Sequence, residues 1–258
     1  MAVSLLDALA ARRGIVCAVG AGGKKTTLYR LAQAARAAGV GRIGLTTTVQ
    51  SGAVPESVGA HVVVAEPEEI AAAVVEAAAA HPRVAFARPA PKPGRVLGLP
   101  PELVAAIHGR AGFGLTLVKA DGARMRLIKA PHEDEPLLPP GAATVLPIVS
   151  ARAIGRPLDD AAAHRIDRLE AVTGARRGEP IAAEHVARLL ASPEGSLRGV
   201  GAAVVVPVIT AVEDGRERGA AREVAERALA LTDRFARVVL ADMRAEPPVV
   251  EVVGRGGR

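Results

Sequence analysis

An α/β fold with a mainly parallel central sheet is what this sequence predicts, and three observations predict it. Short apolar runs rich in Val, Ile and Leu alternate along the chain with longer amphipathic or alanine-rich segments, the order expected of strands joined by crossover helices. The first strand-to-helix junction carries a glycine-rich turn within Val19-Gly-Ala-Gly-Gly-Lys-Lys-Thr-Thr27. Half of the 258 residues are hydrophobic while only 2% are aromatic, so Ala, Val and Leu must build a sizeable core.

Taken in order, Val3–Arg12 reads as a short leading helix. Ile15–Val19 is the first strand, and Thr26–Ala38 the first long helix, with Leu28, Leu31, Ala34 and Ala35 on one face and Gly39 ending it. Arg42–Leu45 is a second strand running into Thr46-Thr47-Thr48, and His61–Ala65 is strand-like. Glu66-Pro67-Glu68-Glu69 then opens an alanine-rich helix to about Ala80, with acid in the first turn where the helix dipole favours it. Arg83–Ala87 is a strand, Arg88–Pro100 a loop rich in Pro and Gly, Pro101–His108 a helix start and Leu115–Lys119 a strand. Pro131–Gly141 is again loop, and Thr144–Ser150 a strand. Helices over about Asp159–Thr173 and Ile181–Ala191 follow. Val204–Thr210, a helix from about Arg216 to Leu231, Val238–Ala241 and a final strand Val249–Val253 complete the pattern. Nothing in it reads as a linker or a repeat, which predicts a single domain over 1–258 with a helical insertion around 151–200.

Composition narrows the function. The formal net charge of +6 could suit nucleic acid. With one Tyr, three Phe and no Trp there is little to stack on bases, and there is no dense basic run. Anionic small molecules account for the charge equally well. The single cysteine, Cys17, excludes an intrachain disulfide framework and, lying in the first strand, reads as a buried structural thiol. No apolar run approaches the ~18–20 residues that span a membrane. The N-terminal stretch is interrupted by Asp7 and followed by Arg12-Arg13, unlike a signal peptide. A soluble, cytoplasmic protein is expected.

The glycine turn carries the chemistry. Strand, glycine loop and helix in that order bring backbone N–H groups, a positive helix end and a lysine to one anion. The P-loop pattern is G-x-x-x-x-G-K-[ST]. Here Ala18 stands at its first glycine and Lys25 where the hydroxyl is expected, with Thr26 and Thr27 one residue late. Two registers follow, with either Lys24 or Lys25 as the phosphate lysine. The glycine pair directly before Lys24 favours the first. Gly20, Ala21, Gly22 and Gly23 would then wrap the phosphates, and Lys24, Lys25, Thr26 and Thr27 line the site. Thr26 or Thr27 would supply a Mg²⁺ hydroxyl. The strand Leu115–Val118 leads to Asp121-Gly122, placing an acid where a phosphate-bridging Mg²⁺ needs a hard oxygen. Thr47 or Thr48, at the end of a neighbouring strand, could sense a γ-phosphate. Arg124, Arg126 and Lys129 could clamp an anion, and His132, Glu133, Asp134 and Glu135 could bind metal or position a nucleophile. A solvated charged loop is the plain alternative for each of these. His164-Arg165 falls in a predicted helix and reads as solvent-facing. His61, His81, His108 and His185 show no metal-ligand spacing.

Across most of its length the chain resembles the YqeC family. The resemblance rests on Val19-Gly-Ala-Gly-Gly-Lys24 with Thr26-Thr27, Leu45-Thr-Thr-Thr48, Ala120-Asp-Gly-Ala123, Lys129-Ala-Pro131, Glu135-Pro136 and His164-Arg165. It implies a P-loop NTPase-like three-layer sandwich, Mg²⁺ and a nucleotide. It also implies a role in making or inserting the cofactor of a selenium-dependent molybdenum hydroxylase, with that enzyme or its cofactor-maturation proteins as partners. Three positions depart from the family pattern. Lys25 intervenes before the threonines, and Lys119 stands where many members have Glu. Thr210-Ala-Val-Glu213 stands where many have an Asn-Lys-x-Asp-like stretch, which makes ATP the expected nucleotide rather than GTP. The chemical readings left open are an ATPase, a small-molecule kinase or acyl-phosphate-forming ligase, and a non-catalytic module gated by nucleotide.

Overall fold

The computed structural model describes residues 3–213 and 215–255. Helix α1 (Leu5–Ala8) precedes strand β1 (Gly14–Gly20), helix α2 (Lys24–Ala37), and strands β2 (Ile43–Thr47), β3 (Ser51–Gly52) and β4 (His61–Val64). Helix α3 (Pro67–Ala80), strands β5 (Arg83–Pro89) and β6 (Arg95–Leu97), helix α4 (Pro101–Arg110), and strands β7 (Leu115–Lys119), β8 (Ile128–Lys129), β9 (Ala142–Ser150) and β10 (Ala163–His164) follow. The chain continues with α5 (Ile166–Thr173), α6 (Ala183–Ala191), β11 (Val204–Val205), β12 (Val208–Thr210), α7 (Gly215–Leu231), β13 (Arg237–Ala241) and β14 (Val249–Gly254).

The result is an α/β protein with a mixed, mainly parallel central sheet in the order β14-β13-β12-β9-β1-β7-β2-β5-β6-β3, with β4 added on β5 and β11 on β9. From β13 through β12, β9, β1, β7 and β2 to β5 every pairing is parallel. The antiparallel pairs are at the edges, β14 on β13 and β6 on both β5 and β3. Side-chain alternation along β1 explains the layers. Val16 and Ala18 pack with α1 and α2, through Leu6, Leu28 and Leu31. Ile15, Cys17 and Val19 point the other way, into a core shared with Ile70 and Val74 of α3, Ile107 of α4, Val186 of α6 and Val224 of α7. Cys17 is fully buried there, and burial pushes its thiol up to about 12, which makes it inert.

The sequence reading misses the two-residue strands β3 and β8 and differs further from the structure at four places. The leading helix is only one turn, because the chain leaves it with Ala10 at φ 50°. The segment 88–100 is not all loop, since Arg95–Leu97 returns to extend the sheet edge. The helix expected from Asp159 starts only after Arg165. The Asp159 carboxylate accepts from the N–H groups of Ala161 and Ala162, which favours a turn, and Ala163–His164 pairs with β8 instead. Arg165 itself is left-handed, at φ 66°. The run 204–210 is two strands, interrupted at Pro207, which has no N–H to donate to a ladder. The helices within 151–200 pack into the same core as the sheet. Among the described residues no helix is long and apolar enough to cross a membrane.

Candidate functional site

Register brings the chemistry to one edge. Ala18 is opposite Lys119, Thr47 is opposite Lys119 from the other side, and Gly20 is opposite Ile148. The carboxyl ends of β1, β2, β7 and β9 therefore open together, the place where parallel sheets bind ligands. The glycines of the loop are first a packing requirement. Gly20 has φ 86°, and a Cβ there would lie 2.4 Å from the carbonyl oxygen of Ile148. Gly22 has φ 81°, and a Cβ would lie 2.6 Å from the backbone N of Ser150. The loop is thus pressed onto the end of β9, held by Ala21 N–H donating to Ile148 O at 2.8 Å and by the Thr210 hydroxyl donating to Gly22 O. Helix α2 then begins at Lys24 with no side-chain cap and no acid in its first turn. Its first turn holds the cations Lys24 and Lys25, followed by Thr26, where the dipole favours an anion.

Lys24 is the first helical residue rather than part of the loop, and it is buried. Its Nζ lies 2.7 Å from Oδ1 of Asp121 and also donates to Gly20 O. Asp121, just past the end of β7, is 1% exposed. Its Oδ2 accepts from Gly20 N–H at 2.8 Å and from Lys129 Nζ at 2.9 Å, while Oδ1 has no aligned hydrogen bond. Lys129 continues to Glu135 at 2.5 Å, and Arg165 closes the line on Glu135. The pairing of β8 with β10 sets this up, since it places His164 opposite Lys129 and so Arg165 near Glu135. Burial pushes the Lys24 ammonium below its ordinary pKa, against the pull of Asp121. For Glu135 burial acts in the opposite sense, but the hydrogen bonds from Arg165 and Lys129 outweigh it and hold the carboxyl down at about 2. His164 is lowered by burial and by the neighbouring cations Arg165, Lys129 and Arg124.

Several expected roles change. Lys129 is no surface clamp, because its side chain is fully buried and committed to Asp121, Gly122 O and Glu135. Arg124 lies on an exposed turn, outside this line of charges. The threonine cluster ties strands together. Thr46 donates to Phe86 O at 2.6 Å, Thr47 to Val49 O at 2.8 Å and Lys119 O at 3.0 Å, and Thr48 to Leu137 O at 2.8 Å. Thr27 is buried and donates to Gly23 O at 3.1 Å, whereas Thr26 is exposed. His164-Arg165 is not in a helix facing solvent; Arg165 is part of the charge line. Of the four residues His132 to Glu135 only Glu135 enters it. The contacts of Thr210 and Ser150 with the glycine loop have no signal in the sequence, because 188 positions separate Thr210 from Gly22. Among the described residues no three His, Cys, Asp or Glu side chains gather to hold a metal.

Fold and site together define a class: a parallel α/β sheet with a glycine loop between its central strand and a helix, and an acid from the next strand meeting that helix's first lysine. The family profile described as "YqeC protein" matches residues 16–167, more than half of the chain, and the chain belongs to the YqeC family. It is 28% identical over 191 residues to "Uncharacterized protein YqeC" of Escherichia coli (strain K12), covering 73% of this chain and 72% of that one. No solved structure matches it. The matched segment contains the whole line from Lys24 to Arg165; α6, α7 and β11–β14 lie outside it.

Proposed function

We propose that this is a Mg²⁺-dependent, P-loop NTPase-like nucleotide-binding protein that uses ATP. We propose further that it assists maturation of a selenium-dependent molybdenum hydroxylase or its cofactor. The observation that carries the nucleotide reading is the meeting of Lys24 and Asp121, at 2.7 Å, beside a glycine loop and an uncapped helix start. Lys24, that helix end and the loop backbone offer positive potential for a triphosphate. Asp121 would fit a Mg²⁺ site once Lys24 turns to the phosphates, because the close partner of its buried Oδ1 is the Lys24 ammonium at 2.7 Å, which makes no aligned hydrogen bond to it, and the exposed Thr26 hydroxyl is the nearer of the two candidates to solvent. With a single carboxylate at the loop, Mg²⁺ would depend on phosphate oxygens for the rest of its shell, its usual habit. The ion would neutralise and orient the phosphates. Thr47 and Thr48 enter as strand ties, their protons already donated to carbonyls. ATP is preferred over GTP because Thr210-Ala-Val-Glu213 offers no guanine-reading Asn and Asp, and Glu213 is paired with Arg152. The role in hydroxylase maturation rests on family resemblance.

Calorimetric titration of the full chain with MgATP tests this. Wild type binds, and Lys24→Ala binds more weakly by roughly 1.5–3 kcal/mol, the worth of a charged hydrogen bond. Asp121→Asn loses the Mg²⁺ dependence more than the affinity for nucleotide alone. Unchanged MgATP affinity in a folded Lys24→Ala protein would sink the reading. A second reading, phosphoryl transfer to a small molecule, is favoured by a cavity on the far side of Lys25.

A further inference from the structure

Lys25 turns away from the charge line. With Lys119 it forms the polar edge of a half-open cavity of about 70 Å³ beneath α2 and above β2, β5 and β7. The floor and walls are mainly apolar, including Leu28, Leu45, Val64, Phe86 and Leu117, and the hydroxyls of Thr46 and Thr47 in the lining are already donated to carbonyls. The Lys25 amine lies against Gly52, where an added Cβ would sit 3.0 Å from it. The Lys119 amine has the Gln50 carbonyl at 3.4 Å. Neither lysine forms an ion pair among the described residues, in contrast to Lys24 and Lys129. The cavity is therefore an apolar hollow with two unneutralised cations at its rim. The rim adjoins the glycine loop, since Lys25 follows Lys24 and Lys119 is two residues before Asp121.

We propose that this cavity binds a second substrate, a small carboxylic acid with a short apolar chain, its carboxylate held between Lys25 and Lys119 and its chain in the hollow. The volume suits this class, being room for about two water-sized groups at the inner end of the chain, with the outer part of the chain and the carboxylate in the half-open mouth. A carboxylate fits better than a phosphate, because a second phosphate would add further negative charge beside the nucleotide's own. The position also defines a reaction, and this part rests on the nucleotide reading above. A carboxylate oxygen attacks the γ-phosphorus of ATP and a new O–P bond forms. The bond from that phosphorus to the β-bridging oxygen breaks, giving an acyl phosphate and ADP, with no net change in protons or electrons.

The test uses the full chain with sodium pentanoate, pentan-1-ol and pentylammonium as probes, read by saturation-transfer NMR and titration calorimetry. Pentanoate binds, the alcohol binds at least about tenfold more weakly, a difference of about 1.4 kcal/mol, and the ammonium does not bind. Lys119→Met and Lys25→Gln each weaken pentanoate by about tenfold while their melting curves stay cooperative. Lys25 is only partly buried, on the first turn of α2, so its variant keeps the test open if Lys119→Met misfolds. Absence of pentanoate binding, equal binding of the alcohol, or undiminished binding in folded Lys25→Gln overturns the site. If MgATP still binds in that case, the nucleotide reading survives. Conversely, if pentanoate binds and MgATP does not, the site stands and the transfer step falls. With both bound, hydroxylamine should trap a hydroxamate; ADP release without it overturns the step.

Discussion

Lys24 and Lys25 are neighbours in sequence and opposites in the structure. Behind Lys24 lies a line of five buried or half-buried charges, Lys24, Asp121, Lys129, Glu135 and Arg165, in which each charge meets one of opposite sign. Behind Lys25 lies an apolar hollow in which two ammonium groups meet none. The first region is electrostatically closed. Its charges are paired with each other and held by backbone groups, with only Asp121 Oδ1 lacking an aligned hydrogen bond within the line, and they fix where the glycine loop, β8 and α5 sit. The second is open, with positive potential and apolar surface, and among the described residues neither of its lysines has an ion-pair partner. The difference teaches that two adjacent lysines can approach an anion from opposite starting points: Lys24 must exchange a partner that the fold supplies, whereas Lys25 has no such partner to exchange.

The largest expected effect comes from breaking the closed region at its centre. Asp121→Ala leaves Lys24 and Lys129 without their shared carboxylate and frees the Gly20 N–H. Stripping one partner from a buried charge set costs about 3–5 kcal/mol, read as a lower midpoint in urea unfolding. A variant within about 1 kcal/mol of wild type, the level of a surface pair, would mean that the two regions do not differ in the way described.

The next effect is smaller and depends on pH. Glu135→Gln keeps the shape of the side chain and removes the charge between Lys129 and Arg165. The folded carboxyl is held down at about 2 against an ordinary value of 4.5. On acidification the unfolded chain therefore takes up the proton first. The stabilisation from Glu135 is complete above pH 4.5 and is lost as the pH falls from there toward about 2. Unfolding measured across that window should show wild type losing stability more steeply than Glu135→Gln, the two curves drawing together at the acid end. Parallel curves would remove Glu135 from the closed line.

Much of the frame was legible in the sequence because it depends on local pattern. Ile15–Val19 could only be a buried strand, and the glycines followed by Lys24 marked a strand-to-helix turn. The Thr46–Thr48 and Asp121 motifs were correctly placed at strand ends, although what Thr46–Thr48 bind was not. A hydroxyl at a strand end reads the same whether it faces a ligand or, as with Thr47, the carbonyl of Lys119. The glycines were legible as a tight strand-to-helix turn, but their contacts with Ile148 and Ser150 belong to the sheet order, which no local pattern states. The helix expected over 159–165 failed because the Asp159 side chain offered the backbone a turn in place of a helix. That failure also hid Arg165, whose left-handed backbone carries it to Glu135. The cavity was illegible, since its walls come from α2 and six strands of the sheet.

The smallest effect runs in the opposite direction and sharpens the comparison most. If Lys119 belongs to the open region, its charge is a burden on the unliganded fold, and Lys119→Met should stabilise the protein. Its folded pKa of about 8 lies below the ordinary 10.5. At neutral pH both folded and unfolded chains carry the charge, and the full cost of holding it in the half-buried rim is present. As the pH rises from about 8 to 10.5 the folded chain gives up the proton first, the wild type gains stability relative to the unfolded state, and the advantage of the variant shrinks. Allowing for solvent screening at the rim, the gain at pH 7 should be roughly 1 kcal/mol, measured by urea unfolding at neutral and at alkaline pH. Pentanoate should stabilise wild type and not the variant, since a ligand stabilises only the state that binds it. A loss of stability at neutral pH in Lys119→Met would place Lys119 with Lys24 and Lys129 as a lysine the fold itself uses, and the line drawn between Lys24 and Lys25 would then be in the wrong place.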